Sequence, residues 1–318
     1  MKNAAILAAL GLVAVAAPGL VGVAALGLVG VAALAADAPV VVASKIDTEG
    51  SVLGKIIVQV LTANRIPVTD KVGFGTTDVV RKAIAAKEID LYPEYTGNGE
   101  YFFTGTDSTL WKNEKQGYET VKKLDLEKNG IVWLTPARAN NNWAIAIRKD
   151  LAAQNHLASL DDLASYLKAG KPFKLAASEE FISRPDTLPA FQKAYGFTLK
   201  SDQLLSLPGG NTALTEKAAA QGTNQVNAAM AYGTDGSLAA LGLVVLADTK
   251  GVQPIYEPAP IVRQEVLARY PAIDKLLGKV FARLDLVTLQ TLNGRVAVNG
   301  ESAAAVAASW LKGQGLVP

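Results

Sequence analysis

The stretch Asp90-Leu91-Tyr92-Pro93-Glu94-Tyr95-Thr96-Gly97-Asn98-Gly99 decides how the rest of the chain is read. Asp90-Leu91-Tyr92 reads as a short strand that ends at Pro93, because proline cannot donate to a ladder. A carboxylate, an aromatic ring and a hydroxyl follow, and then two glycines that permit close backbone approach. In open α/β sheets ligands sit beyond the carboxyl ends of the strands, so these residues read as one wall of a binding site. The alternative is a glycine-rich turn with a packing tyrosine.

Two further stretches follow the same logic. Ala231-Tyr232-Gly233-Thr234-Asp235-Gly236 is a strand end, a ring and then a glycine-flanked polar turn. Asn140-Asn141-Asn142-Trp143 puts three amides and an indole at a strand start. Each has a plainer alternative, a solvated turn beside a core aromatic.

Around these stretches the pattern alternates between periods of two and 3.6. Pro39 to Ala43 reads as a first strand. Val52, Leu53, Ile56, Ile57, Val60 and Leu61 form one face of a helix capped by Asp47 or Thr48. Thr76 or Thr77 caps a second helix with Val79, Val80, Ala83 and Ile84 on its buried side. A charged helix spans about 111–129, and strands are expected at Ile131–Leu134 and Trp143–Ile147. Ser159-Leu160-Asp161-Asp162 resembles a capping box opening a helix to Lys168. Strands at Phe173–Ala177, Ala228–Tyr232 and Leu243–Ala247 flank a helix at Thr212–Gln221. The last 60 residues read mostly as helices, near 263–270, 272–283, 285–292 and 301–312. Strands alternating with helices argue for an α/β fold with largely parallel sheets. Connections near Pro136–Asn142 and Asp248–Pro260 read as two crossings between lobes, making the first lobe discontinuous.

Composition narrows the chemistry. The chain has 318 residues, half of them apolar, enough for about two ordinary domains. Net charge is only +2, which gives no support to a nucleic-acid-binding protein or a polybasic membrane protein. With no cysteine there are no disulfides, thiolate metal sites or cysteine nucleophiles. The one histidine, His156, stands in a polar Gln-Asn-His-Leu segment and reads as a surface residue. Gly73-Phe74-Gly75 lacks the following glycine and Lys-Ser/Thr of a phosphate loop. No catalytic residue, metal site or cofactor is expected. An exported hydrolase using a serine with His156 is the rival reading, and it lacks a Gly-x-Ser-x-Gly elbow.

Residues 1–36 read as a secretory signal peptide, with Lys2 ahead of an uncharged run and Ala33-Leu34-Ala35 as the cleavage pattern. The run is long because the octamer Gly-Leu-Val-Gly-Val-Ala-Ala-Leu at 19–26 recurs at 27–34. Its length leaves an uncleaved membrane anchor as the alternative.

Four segments together resemble a known family. They are Val41-Val42-Ala43-Ser44-Lys45-Ile46-Asp47-Thr48-Glu49, Gly75-Thr76-Thr77-Asp78-Val79-Val80-Arg81, Asp90 to Gly97, and Ala259-Pro260-Ile261-Val262-Arg263. They are similar to the osmoprotectant-binding proteins of ABC importers, which carry glycine betaine, choline and related compounds, and within these to the OsmF type. The resemblance covers about 38–318. It implies a two-lobed periplasmic binding-protein fold of type II with two crossing strands. The lobes would be 37–140 with the return segment 248–318, and 141–247. It also implies a periplasmic monomer that delivers its ligand to ABC permease and ATPase subunits.

A quaternary ammonium has no hydrogen to donate and is held by aromatic faces. By match to family positions, Tyr95, Trp143, Tyr232 and Tyr256 are the cage residues. Asp78 falls at a polar pocket position, and Thr48, Asn98 and Asn142 are placed to bind a carboxylate tail or shape the pocket. The chain departs from the family at Gly50, where glutamine is frequent, and near Ala139, Leu188 and Thr212, where betaine binders carry aromatics. Fewer rings imply weak binding.

Overall fold

The structure, a computed structural model, describes residues 38–317. The expected signal peptide and its repeats lie outside the described residues.

Ten strands among the described residues form two five-stranded sheets. The chain lays down β1 (Val40–Lys45), β2 (Val68–Gly75), β3 (Leu91–Tyr95) and β4 (Ile131–Trp133). It then crosses to β5 (Trp143–Arg148), β6 (Leu175–Ser178), β7 (Leu204–Leu207), β8 (Ala228–Tyr232) and β9 (Leu243–Val245). It returns to add β10 (Pro258–Arg263) to the first sheet. The orders are β2-β1-β3-β10-β4 and β7-β6-β8-β5-β9.

The helices α1 (Thr48–Ala63), α2 (Thr77–Ala85), α3 (Asn98–Phe102) and α4 (Glu114–Asn129) connect the first strands. The second sheet carries α5 (Lys149–Asn155), α6 (Leu160–Lys168), α7 (Glu179–Ser183), α8 (Leu188–Tyr195) and α9 (Thr212–Gln221). The chain closes with α10 (Gln264–Arg269), α11 (Ala272–Phe281), α12 (Leu286–Ala297) and α13 (Ala303–Gly313). The last two helices pack on α1, so the C-terminal segment rejoins the first sheet.

The core follows the periodic pattern. Val52, Leu53, Ile56, Ile57, Val60 and Leu61 of α1 are fully buried, and each such side chain contributes about 1.5–3 kcal/mol. Asp47 is the cap of α1, accepting from the Gly50 amide at 2.7 Å. Thr76 stands at the cap position of α2 but makes no capping hydrogen bond through its side chain. Val79, expected on the buried side of α2, is 47% exposed.

The sheets are mixed rather than largely parallel. β1, β2 and β3 are parallel, as are β6, β7 and β8, but β10 and β5 run antiparallel to their neighbours. Each antiparallel strand is the first after a crossing. It therefore starts at the sheet end where the parallel strands finish. β3 also runs on through Pro93 to Tyr95, because Pro93 faces Pro260 in the register and both missing donors fall at one level of the ladder.

Candidate functional site

This strand arrangement brings the aromatic residues together. Tyr95 ends β3 and is paired with Pro258, two residues after Tyr256. Tyr232 ends β8 and is paired with Trp143, the first residue of β5. All four rings line one cavity between the two sheets, and Asn98 lines it with them. The Trp143 and Tyr232 rings stand 4.7 Å apart, tilted by 49°, and Phe181 backs the indole at 5.4 Å. Tyr256 lies against the backbone of Gly97. A Cβ there would come within 2.8 Å of its ring, so only glycine lets the ring sit so close. The cavity is partly open to solvent and its volume is about 30 Å³, enough for water.

Three expected residues lie elsewhere. Asn142 does not line the cavity; its amide donates to the Trp143 carbonyl at 3.3 Å, and Asn141 lines the wall instead. Side chains alternate along extended backbone, so Asn141 and Trp143 share a side that Asn142 does not. Thr48 opens α1 half-buried, and its neighbour Asp47 faces the cavity. Asp78 is exposed in an adjoining cleft, where it accepts from the Tyr101 hydroxyl at 3.0 Å. Leu188 and Thr212 are buried within the second sheet's surroundings and do not line the cavity, nor does Ala139.

The wall also holds charged residues that the pattern of rings did not reveal. Asp47 and Glu180 face the cavity from opposite sheets. Lys45 enters from the end of β1, pairs with Glu94 at 2.7 Å and stands 4.7 Å from the Tyr95 ring centroid. Arg184 is buried between Glu180 and Asp186, donates to Asn98 Oδ1 at 2.9 Å, and lies 5.8 Å from the Trp143 ring. Lys45 and Asp47 stand in a segment already singled out, but there Asp47 carried only its role as a cap.

Burial sets the protonation of this wall. It pushes Asp47 above the usual carboxylate range, against the Gly50 hydrogen bond and Lys45. It would push Glu94 up as well, but Lys45, Asn98 and the Tyr95 amide outweigh it and hold Glu94 below its ordinary value. Tyr95, Tyr232 and Tyr256 are raised well above 10 by burial and so stay neutral. The result is a site of neutral aromatic faces with carboxylates around them, and cations are attracted to both. On the same side as Asp47, Gly75, Thr76 and Thr77 bring the start of α2, which has no side-chain cap, to the cavity, where helix N-terminal amides suit an anion.

Residues 38–313 match the family described as the substrate-binding domain of ABC-type glycine betaine transport systems. The chain belongs to that family. It is 61% identical over 280 residues to the glycine betaine-binding protein YehZ of Escherichia coli, across 88% of this chain and 92% of the relative. The solved apo structure of that protein, at 60% identity, gives a TM-score of 0.65 and covers 88% of this chain and 100% of its own. A crystal structure of a glycine betaine/carnitine/choline ABC transporter protein, at 21% identity, gives a TM-score of 0.67 over 87% and 99% of the two chains. That second likeness speaks for the fold alone, which is the two-lobed type II binding-protein architecture. In this chain the four rings occupy the junction of the two sheets.

Proposed function

We propose that the chain is an exported, monomeric solute receptor that binds a quaternary-ammonium osmoprotectant of the glycine betaine or choline kind between its lobes. In this reading it hands the solute to the permease and ATPase subunits of an importer. The observation that carries the reading is the meeting of Tyr95, Tyr256, Trp143 and Tyr232 in one cavity, two rings from each side of the junction. Asp47 and Glu180 complement the cationic head, while the amides of the α2 start, with Asn98 and Asn141, offer donors to a carboxylate or hydroxyl tail. The ligand's positive methyls lie against ring faces, which need no hydrogen-bond donor from the solute.

Two features support opening and closing. The cavity lies between the two sheets, and its volume as it stands is small, about 30 Å³. Chains sharing 60% of their residues share the fold of each lobe, so a TM-score of 0.65 supports a different mutual placement of lobes in the apo relative. Weak affinity is supported by Lys45 and Arg184, which already lie over the Tyr95 and Trp143 rings and compete for those faces. The non-catalytic reading is supported by His156, exposed at the C-terminal cap of α5 and absent from the cavity wall. Export is supported by the cleavage pattern at Ala33–Ala35, and N-terminal sequencing of the secreted protein separates a cleaved form from a tethered one.

The test is a calorimetric titration of glycine betaine and choline into the wild type and four single alanine variants at Tyr95, Trp143, Tyr232 and Tyr256. Each alanine should weaken binding by a few-fold to about thirtyfold, the equivalent of roughly 0.5–2 kcal/mol per ring. Absence of binding at tens of millimolar, or four variants that bind like the wild type, would overturn the reading.

A further inference from the structure

Behind the cavity wall lies a buried carboxylate that the ligand would not touch. Glu49, in the first turn of α1, is 3% exposed. Its Oε1 accepts from the Tyr95 hydroxyl at 3.0 Å and from Asn141 Nδ2 at 2.9 Å. Both of those residues line the cavity. Its Oε2 accepts from Asn293 Nδ2 of α12 at 2.7 Å, and the same Nδ2 donates to the Thr234 carbonyl at 3.0 Å. Thr234 lies in the turn after β8, in the other lobe. Beside it, Gln290 of α12 donates to the Gly233 carbonyl at 3.1 Å.

One carboxylate thus holds a ring and an amide of the cavity wall and, through one intervening amide, the backbone of the opposite lobe. The Oδ1 atoms of Asn141 and Asn293 are buried and receive no hydrogen bond from any described residue. The Asn141 backbone amide also donates to the Tyr256 carbonyl at 2.9 Å, so the node reaches a second ring. Burying a carboxylate is costly unless its bonds are made, and the three directed donors around Glu49 require their carriers to keep this arrangement.

We propose that Glu49 is a positioning residue that couples the cavity wall to lobe closure through Asn293 and the Thr234 backbone. The proposal rests on the reading of the cavity as a ligand site between moving lobes. When the lobes separate, the Asn293–Thr234 bond is the link that breaks, and Tyr95 and Asn141 lose the tension that sets them for the ligand. Replacing Glu49 by glutamine keeps one acceptor for Tyr95 and Asn141 but turns a donor toward Asn293. That amide must then rotate, and it gives up Thr234.

The test uses Asn293→Ala, which touches no cavity-lining residue, and Glu49→Gln. Glycine betaine and choline affinities, the radius of gyration with and without ligand, and cooperative thermal unfolding are measured for both variants and the wild type. Binding should weaken by about five- to fiftyfold in each variant, on the scale of a lost charge-assisted hydrogen bond. The ligand-free protein should be more expanded than the wild type, and unfolding should stay cooperative. Asn293→Gln, which can still reach Thr234, should recover part of the affinity. Variants that bind and scatter like the wild type while merely unfolding at lower temperature would overturn the proposal. If the wild type binds neither solute, the ligand reading fails, and the ligand-free scattering comparison still decides whether Glu49 and Asn293 hold the lobes together.

Discussion

Glu49 shows how burial rather than residue type sets chemistry at the scale of single residues. Burial raises it to about 7, against the donors of Asn293 and Tyr95, with Asp47 adding repulsion. A carboxyl whose folded pKa lies above its unfolded value binds more protons when folded. Its contribution to stability is therefore complete below about 4.5 and is lost as pH rises through about 7. Glu257, also raised to about 7 by burial and by Glu114, and Asp235, raised by burial beside Glu216, act in the same direction. The urea-unfolding free energy of the wild type should thus fall between about pH 5 and about pH 8. Glu49→Gln should flatten that slope by an amount up to the order of 3 kcal/mol. An equally steep slope in the variant would show that Glu49 does not titrate in this window. The same scale explains why Asp47 escaped notice as a site residue. Its sequence context states a helix cap, and the cap is there, but which way its second oxygen faces depends on a sheet formed by residues far along the chain.

Local signals at the scale of elements were strongest where the chain supplies both ends of a motif. The box at Ser159 is one such case. Its hydroxyl accepts from the Asp162 amide at 3.2 Å, and the Asp162 carboxylate accepts from the Ser159 amide at 2.9 Å. Ser159→Ala should cost about 1 kcal/mol of stability, read as a lower denaturation midpoint with an unchanged slope. Ligand affinity should not change, because α6 contributes nothing to the cavity wall. The helix at Thr212–Gln221 and the strand at Ala228–Tyr232 fall where the apolar periodicity placed them. Pattern reading passed over two kinds of strand: the edge strands β2, whose Val-Thr-Asp-Lys sequence is mostly exposed, and β7, which is at most half-buried; and the proline-bearing β10, whose Pro258 and Pro260 argue against a ladder. An edge position tolerates the first. Pairing of proline opposite proline tolerates the second.

The lobes of the whole molecule meet along more than the two crossing segments. The turn at 233–236 presses on α12 so closely that a Cβ at Gly236 would lie 1.8 Å from the Gln290 carbonyl and 2.7 Å from the Gly294 amide. Gly236→Ala must therefore push the turn off α12 while leaving each sheet intact. Small-angle scattering should show a larger radius of gyration for the variant than for the wild type. Adding glycine betaine should compact the variant less. A variant that matches the wild type in both states would mean that the turn yields without moving the lobes.

The sequence by itself determined the elements whose signals are local: the apolar face of α1, the caps at Asp47 and Ser159, and the ring-bearing strand ends at Tyr95 and Tyr232. It also carried the family, through motifs whose residues lie close together in the chain. Only the tertiary structure decided which of these residues meet. Trp143 faces Tyr232 because β5 runs antiparallel to β8, and Tyr256 reaches Tyr95 because β10 returns across more than 160 residues to pair with β3. The same long-range pairing turned Asn141 rather than Asn142 to the cavity, left Leu188 and Thr212 out of it, and gathered Glu49, Asn293 and Thr234 from distant parts of the chain. The physical reason is that periodicity reports which face of an element is buried. It carries no information on which other element does the burying, because apolar burial is non-directional. That choice belongs to strand register and to the close glycine contacts at the junction.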